Sequence, residues 1–436
     1  MTNRTPAVAG RPTPGAPSAV AASPGGRMAA LDGLRGIAAL VVVAHHALLV
    51  WPALYAQYTV PNRGSRTWWL TFTPLHLGWA GREAVIVFFI LSGFVLVLPY
   101  LSSSKVGTWP GYLVRRLLRL YPPVAAALVL SVVLVAAFPR DVGPDATYWL
   151  RWHDIDLTWS GVLHDLLLVD GTGMVNTVLW SLRYEVAFSI LLPLVVLLAR
   201  RIPARLALTL PASIGFVALG QHAGSHWAQW LPIFGVGVVM AVGRDDLRRL
   251  GERIEASAFR GVLWCALGAV AGALLLAEWV FRGVGVPTAT WFVAAPPLIT
   301  LGGALTCFIV LGCPAVSRLC SGRVLQWAGR ISFSLYLVHE PVVVSVATLM
   351  DPGALGAVVT LVVGGGLSIA LAMAFHALVE APCTRWSRNA GRRIDRRGRP
   401  RSLHVPYRHS AAASRRGLPG PRPGVPAQGR GLVDAR

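Results

Sequence analysis

The chain has 436 residues, 54% of them hydrophobic, with a mean hydropathy of +0.57 and 14% charged residues. An ordinary soluble domain carries roughly 25% charged residues, so this composition excludes a soluble nucleic-acid binder, and the apolar content excludes a disordered basic protein. The formal charge is nevertheless +21, which leaves an all-α integral membrane protein whose cations lie outside the bilayer.

In chain order, residues 1–28 are rich in Pro, Ala and Gly and read as a disordered leader. Apolar segments able to cross ~30 Å of hydrocarbon, about 20 residues each, then recur. They lie near 34–51, 83–101, 120–138, 179–199, 205–221, 228–243, 260–281, 289–312, 331–349 and 355–378. This predicts about ten transmembrane helices within residues 29–383. The fifth and sixth are short and carry Pro211 and Pro232. With a cytoplasmic N-terminus, 33 cations fall inside and 7 outside, and the outer loop after the third segment holds six aspartates. That distribution obeys the positive-inside rule, with both termini cytoplasmic in a multi-pass plasma-membrane protein.

Residues 384–436 hold 14 Arg against 2 Asp and read as a disordered cytoplasmic tail gripping anionic lipid. No aromatic interleaving accompanies this charge, so no nucleic-acid partner is expected. The five cysteines form no C-x-x-C pair, and neither a zinc site nor a redox motif is supported.

Charged groups inside spans are costly and point to function. In the first span Arg35 and His46 stand 11 residues apart. That is ~20° from three whole helical turns, so they share one face about 16 Å apart along the axis. His45 points ~80° away. A guanidinium at the inner rim holds phosphates bidentately, and a deeper imidazole accepts a proton from a hydroxyl near neutral pH. A cytoplasmic phosphorylated carrier with a long arm would link the two points. On this pair alone, His46 could equally serve only as a hydrogen-bonding partner for neighbouring helices. Arg116 and Arg119, three apart at the start of the third span, add to a basic cradle or act as positive-inside anchors.

Six segments resemble, in order, motifs of the bacterial transmembrane acyltransferase 3 family, which contains sugar and antibiotic O-acyltransferases. Leu31-Asp32-Gly33-Leu34-Arg35, ten residues before His46, is similar to its Arg-x10-His signature. Phe88-Phe89-Ile90-Leu91-Ser92-Gly93-Phe94 and Arg116-Leu117-Leu118-Arg119 follow. Next come Trp180-Ser181-Leu182-Arg183-Tyr184-Glu185 with Phe188, and then Gly329-Arg330-Ile331-Ser332-Phe333-Ser334-Leu335-Tyr336-Leu337-Val338-His339. Glu380-Ala381-Pro382 closes the series.

The sequence departs from the family pattern at Ala84, Ile86, Arg330 and Phe333. The resemblance implies an acyl-CoA donor on the inside, expected to be acetyl-CoA, and an acceptor hydroxyl on a carbohydrate or glycosylated small molecule. No tightly bound cofactor is implied. His46 is implied to be catalytic, with Arg35, Arg116 and Arg119 binding the donor. Glu185, inside the fourth span, is a second catalytic candidate that would orient His46 or the acceptor. Ten spans with internal Arg, Glu and His would also suit a proton-coupled exporter, for which no internal repeat speaks.

Overall fold

A computed structural model describes residues 24–102, 108–138, 140–168, 175–201 and 205–397. Among these residues the chain is helical and contains no strand. The principal helices are α1 (Pro24–Leu48), α2 (Gly81–Ser102), α3 (Trp109–Ala137), α4 (Leu182–Ala199), α5 (Leu206–His222), α6 (His226–Val242) and α7 (Arg244–Glu255). Then follow α8 (Arg260–Leu275), α9 (Ala277–Gly283), α10 (Thr288–Gly312) and α11 (Arg323–Ala347). The last rod is built from α12 (Ala354–Val359), α13 (Gly365–Phe375) and α14 (Ala381–Arg397), joined by π-helical turns at Thr360–Gly364 and His376–Glu380.

Among the described residues, six helices are long and apolar enough to cross a membrane, and up to eight if each bent pair counts as one span. Helix α5, at 17 residues, is shorter. The expected span 260–281 is not one rod: α8 and α9 meet at Leu276 with a 65° bend. Just past the bend, Glu278 ties α9 to α2 through its ion pair with Arg82 (2.6 Å) and pairs with Arg282 one turn further along α9 (3.0 Å). Helix α11 falls outside the six because it carries Gln326, Arg330, His339 and Glu340, yet nearly all of its second half is buried. It is the central post of the bundle, and its polar groups face protein rather than lipid.

Close crossings depend on glycine. Helix α1 passes α11 where Gly36 and Gly329 remove the side chains: a Cβ on Gly36 would lie 2.6 Å from the Gly329 nitrogen, and one on Gly329 would overlap the Asp32 carbonyl. With little hydrophobic drive between helices in lipid, such backbone approach supplies the packing energy. The crossing sets Arg35 beside α11.

The tail begins later than expected. Residues 384–397 continue α14, because Asp395 is clasped by Thr108 and Arg115 at the start of α3. Most of the expected leader (1–23) and the remaining tail (398–436) lie outside the described residues, while Pro24 already opens α1.

Candidate active site

His46 sits in the last turn of α1, half-buried, with its Nδ1 2.9 Å from Nε2 of His339. His339 is wholly buried, and its own Nδ1 lies 2.9 Å from the carbonyl oxygens of Leu335 and Tyr336. These contacts determine the proton positions for neutral rings. A carbonyl only accepts, so Nδ1 of His339 carries its proton and Nε2 is the acceptor. His46 must then donate from Nδ1, which leaves the lone pair on its Nε2 free. The indole of Trp149 stacks on the His46 ring at 5.5 Å and 24°. His45 faces elsewhere: its Nδ1 contacts the Trp79 carbonyl at 2.9 Å, in keeping with its helical angle.

A second buried network holds Trp149 in place. Glu340, next to His339, accepts from the backbone nitrogens of Thr177 (2.6 Å) and Val178 (3.2 Å) and from the Thr177 hydroxyl. His153 Nε2 lies 3.3 Å from the same carboxylate, and His153 Nδ1 contacts the Trp149 carbonyl at 2.9 Å. The carboxylate thereby pins both the short turn Thr177–Ser181 and the loop that covers His46.

Below His339 a narrow chamber of about 50 Å³ is lined by Arg35, Phe89, Ser92, Ser181, Glu185 and Tyr336, among others. Tyr336, one turn before His339, donates to the Val178 carbonyl (3.0 Å) and shares a 2.7 Å hydrogen bond with Ser181. A larger cavity of about 450 Å³ lies on the arginine-rich side. Arg35, Ser332 and Phe333 line both spaces and form the wall they share.

The structure therefore brings Arg35 and Arg119 to the larger cavity but separates Arg116 from them. Arg116 forms an ion pair with Glu185 and donates from Nε to Ser189 (3.0 Å). The expectation that Glu185 orients His46 is not met, because its carboxylate is held by Arg116 and the partner of His46 is His339. Arg330, His376, Glu380, Arg385 and Arg388 also line the larger cavity. Sequence spacing shows that Tyr336 and His339 share a face, but the meeting of His339 with His46 joins residues 293 apart and leaves no local signal. Among the described residues no cluster of His, Cys, Asp or Glu is suited to a metal.

Residues 28–377 match the family described as an acyltransferase domain. The chain is 28% identical to an acyltransferase, MdmB, of Streptomyces mycarofaciens, over 82% of this chain and 92% of that protein. It is 24% identical to a putative peptidoglycan O-acetyltransferase, YrhL, of Bacillus subtilis, over 74% of this chain. It is 23% identical to the peptidoglycan O-acetyltransferase OatA of Listeria monocytogenes, again over 74%. The chain spans half the length of these last two relatives. No solved structure matches it.

Proposed function

The chain belongs to the acyltransferase 3 family, and from that premise we propose that it moves an acyl group, expected to be acetyl, from acyl-CoA to a hydroxyl. The acceptor is a carbohydrate or a glycosylated small molecule. The observation that carries this reading is the His46–His339 hydrogen bond, which leaves the lone pair of His46 Nε2 free to act as a base. The arginine-rich face is the cytoplasmic one, where acyl-CoA resides, and the positive-inside distribution of cations supports that orientation.

Acyl-CoA docks with its phosphates against Arg35 and Arg119, and its flexible arm carries the thioester past Ser332 and Phe333. The acceptor hydroxyl gives its proton to His46 Nε2 as its oxygen attacks the thioester carbonyl. The new C–O bond forms, the C–S bond breaks, and the imidazolium returns the proton to the departing thiolate. His339, accepting from Nδ1, stabilises the imidazolium as it forms and holds the ring in its basic tautomer. Arg116 and Glu185 neutralise each other in the chamber wall and keep its width. The peptidoglycan O-acetyltransferases among the relatives support a hydroxyl acceptor of this class.

Purified protein in lipid nanodiscs, given acetyl-CoA labelled in the acetyl group and a panel of hydroxyl-bearing sugars, tests the reading. Transfer of label to an acceptor with release of free thiol is expected. Energy-dependent uptake into proteoliposomes with no thiol release would replace the enzyme reading with transport.

A further inference from the structure

Helix α14 presents two stripes to two neighbours. Ser387, Gly391 and Asp395 recur every four residues and face α3. Ser387 is buried, and a side chain on Gly391 would collide with Arg115. The Asp395 Oδ1 accepts from the Thr108 backbone nitrogen (2.7 Å) and hydroxyl (2.8 Å), while Oδ2 pairs with Arg115 at 2.5 Å. The second stripe, Ala381, Thr384, Arg385 and Arg388, follows i, i+3, i+4, i+7 and lines the larger cavity. The first stripe thus anchors the second.

The charge of that cavity is unbalanced. Five arginines line it (Arg35, Arg119, Arg330, Arg385 and Arg388) against Asp32 and Glu380. Asp32 stands 3.9 Å from Arg35, and Glu380 is occupied by the Ser334 hydroxyl (2.6 Å) and His376 (2.9 Å). Among the described residues, the other four guanidiniums have no carboxylate within ion-pair distance. Forked donors gathered in a concave space call for an anion bearing several phosphates. Arg35 also lines the chamber, so it marks the end where the thioester enters. Arg385 and Arg388 line only the larger cavity.

We propose that α14 is part of the donor site: Arg385 and Arg388 clamp the 3′-phosphate at the adenosine end of acyl-CoA, and Asp395 is the positioning residue that holds the helix against α3. This rests on the acyl-CoA reading above. Neither arginine belongs to the resembling motifs, and both lie beyond the matched residues 28–377.

The test uses the full chain in nanodiscs and compares acetyl-CoA with its 3′-dephospho analogue. The wild-type protein is expected to favour the phosphorylated donor. The double variant R385Q/R388Q should raise KM for acetyl-CoA about tenfold, leave kcat within about twofold, and lose the preference between donors. Asp395→Asn should move KM the same way by a smaller factor. The control R393Q/R396Q, which changes arginines of α14 that do not line the cavity, should keep wild-type values. An R385Q/R388Q protein that retains both its KM and its preference overturns the proposal and assigns these arginines to lipid headgroups. A wild-type protein that transfers from neither donor, yet binds both, overturns the acyl-CoA reading itself.

Discussion

His339 makes the His46 ring chemically asymmetric. Two carbonyl acceptors hold the His339 proton on Nδ1, so His46 faces an acceptor on one nitrogen and keeps its lone pair on the other. Glu340 acts one residue further along the same helix. Three donors from Thr177 and Val178 converge on its carboxylate, and His153 approaches it as well. Glu340→Ala removes the acceptor and leaves the backbone nitrogens of Thr177 and the buried Val178 without a partner. Leaving one such buried donor unsatisfied costs about 2 kcal/mol. The apparent melting temperature in detergent should therefore fall by several degrees, and acyl transfer should fall with it as Trp149 shifts off His46. An unchanged melting temperature would mean that the carboxylate does not clamp the turn. Arg35 and His46 were legible in the sequence because both lie on one helix, where 3.6 residues per turn turns spacing into direction. His339 and Trp149 were not, since their approach to His46 depends on how α1 and α11 pack.

The crossing of α1 and α11 shows what determines that packing. Gly329 opposes the Asp32 backbone with no room for a Cβ. Gly329→Leu should force the helices apart, a cost of about 3 kcal/mol by overpacking, and displace Arg35 from Ser332. Reduced yield of folded protein on gel filtration, with donor binding weakened in whatever remains, is the expected outcome. A folded variant with wild-type donor affinity would show that this crossing does not set the mouth. Apolar runs announced the helices well, but two features escaped. The break at Leu276 accompanies an ion pair between Glu278 and Arg82, 196 residues away in sequence, which no local pattern announces. The extension of α14 was hidden because its composition is that of a solvated tail, and only the contact of Asp395 with Thr108 and Arg115 shows what it packs against.

Across the whole molecule, a very hydrophobic chain carries +21 charges, and their location explains the combination. Residues 384–436 alone hold 14 Arg against 2 Asp, while inside the bundle several charges are paired: Arg116 with Glu185, and Arg82 and Arg282 with Glu278. Among the described residues, Arg119, Arg330, Arg385 and Arg388 of the larger cavity have no carboxylate partner, and that cavity shares Arg35, Ser332 and Phe333 with the chamber beside Tyr336. In the proposed reaction the donor lies at the larger cavity and the base is His46. The most direct test is the rate of labelled acetyl transfer by His46→Ala in nanodiscs, with its melting temperature and acetyl-CoA affinity measured alongside. Loss of general-base assistance predicts a rate reduced at least ~100-fold, with fold and donor binding retained. Full transfer by a folded His46→Ala protein would contradict it.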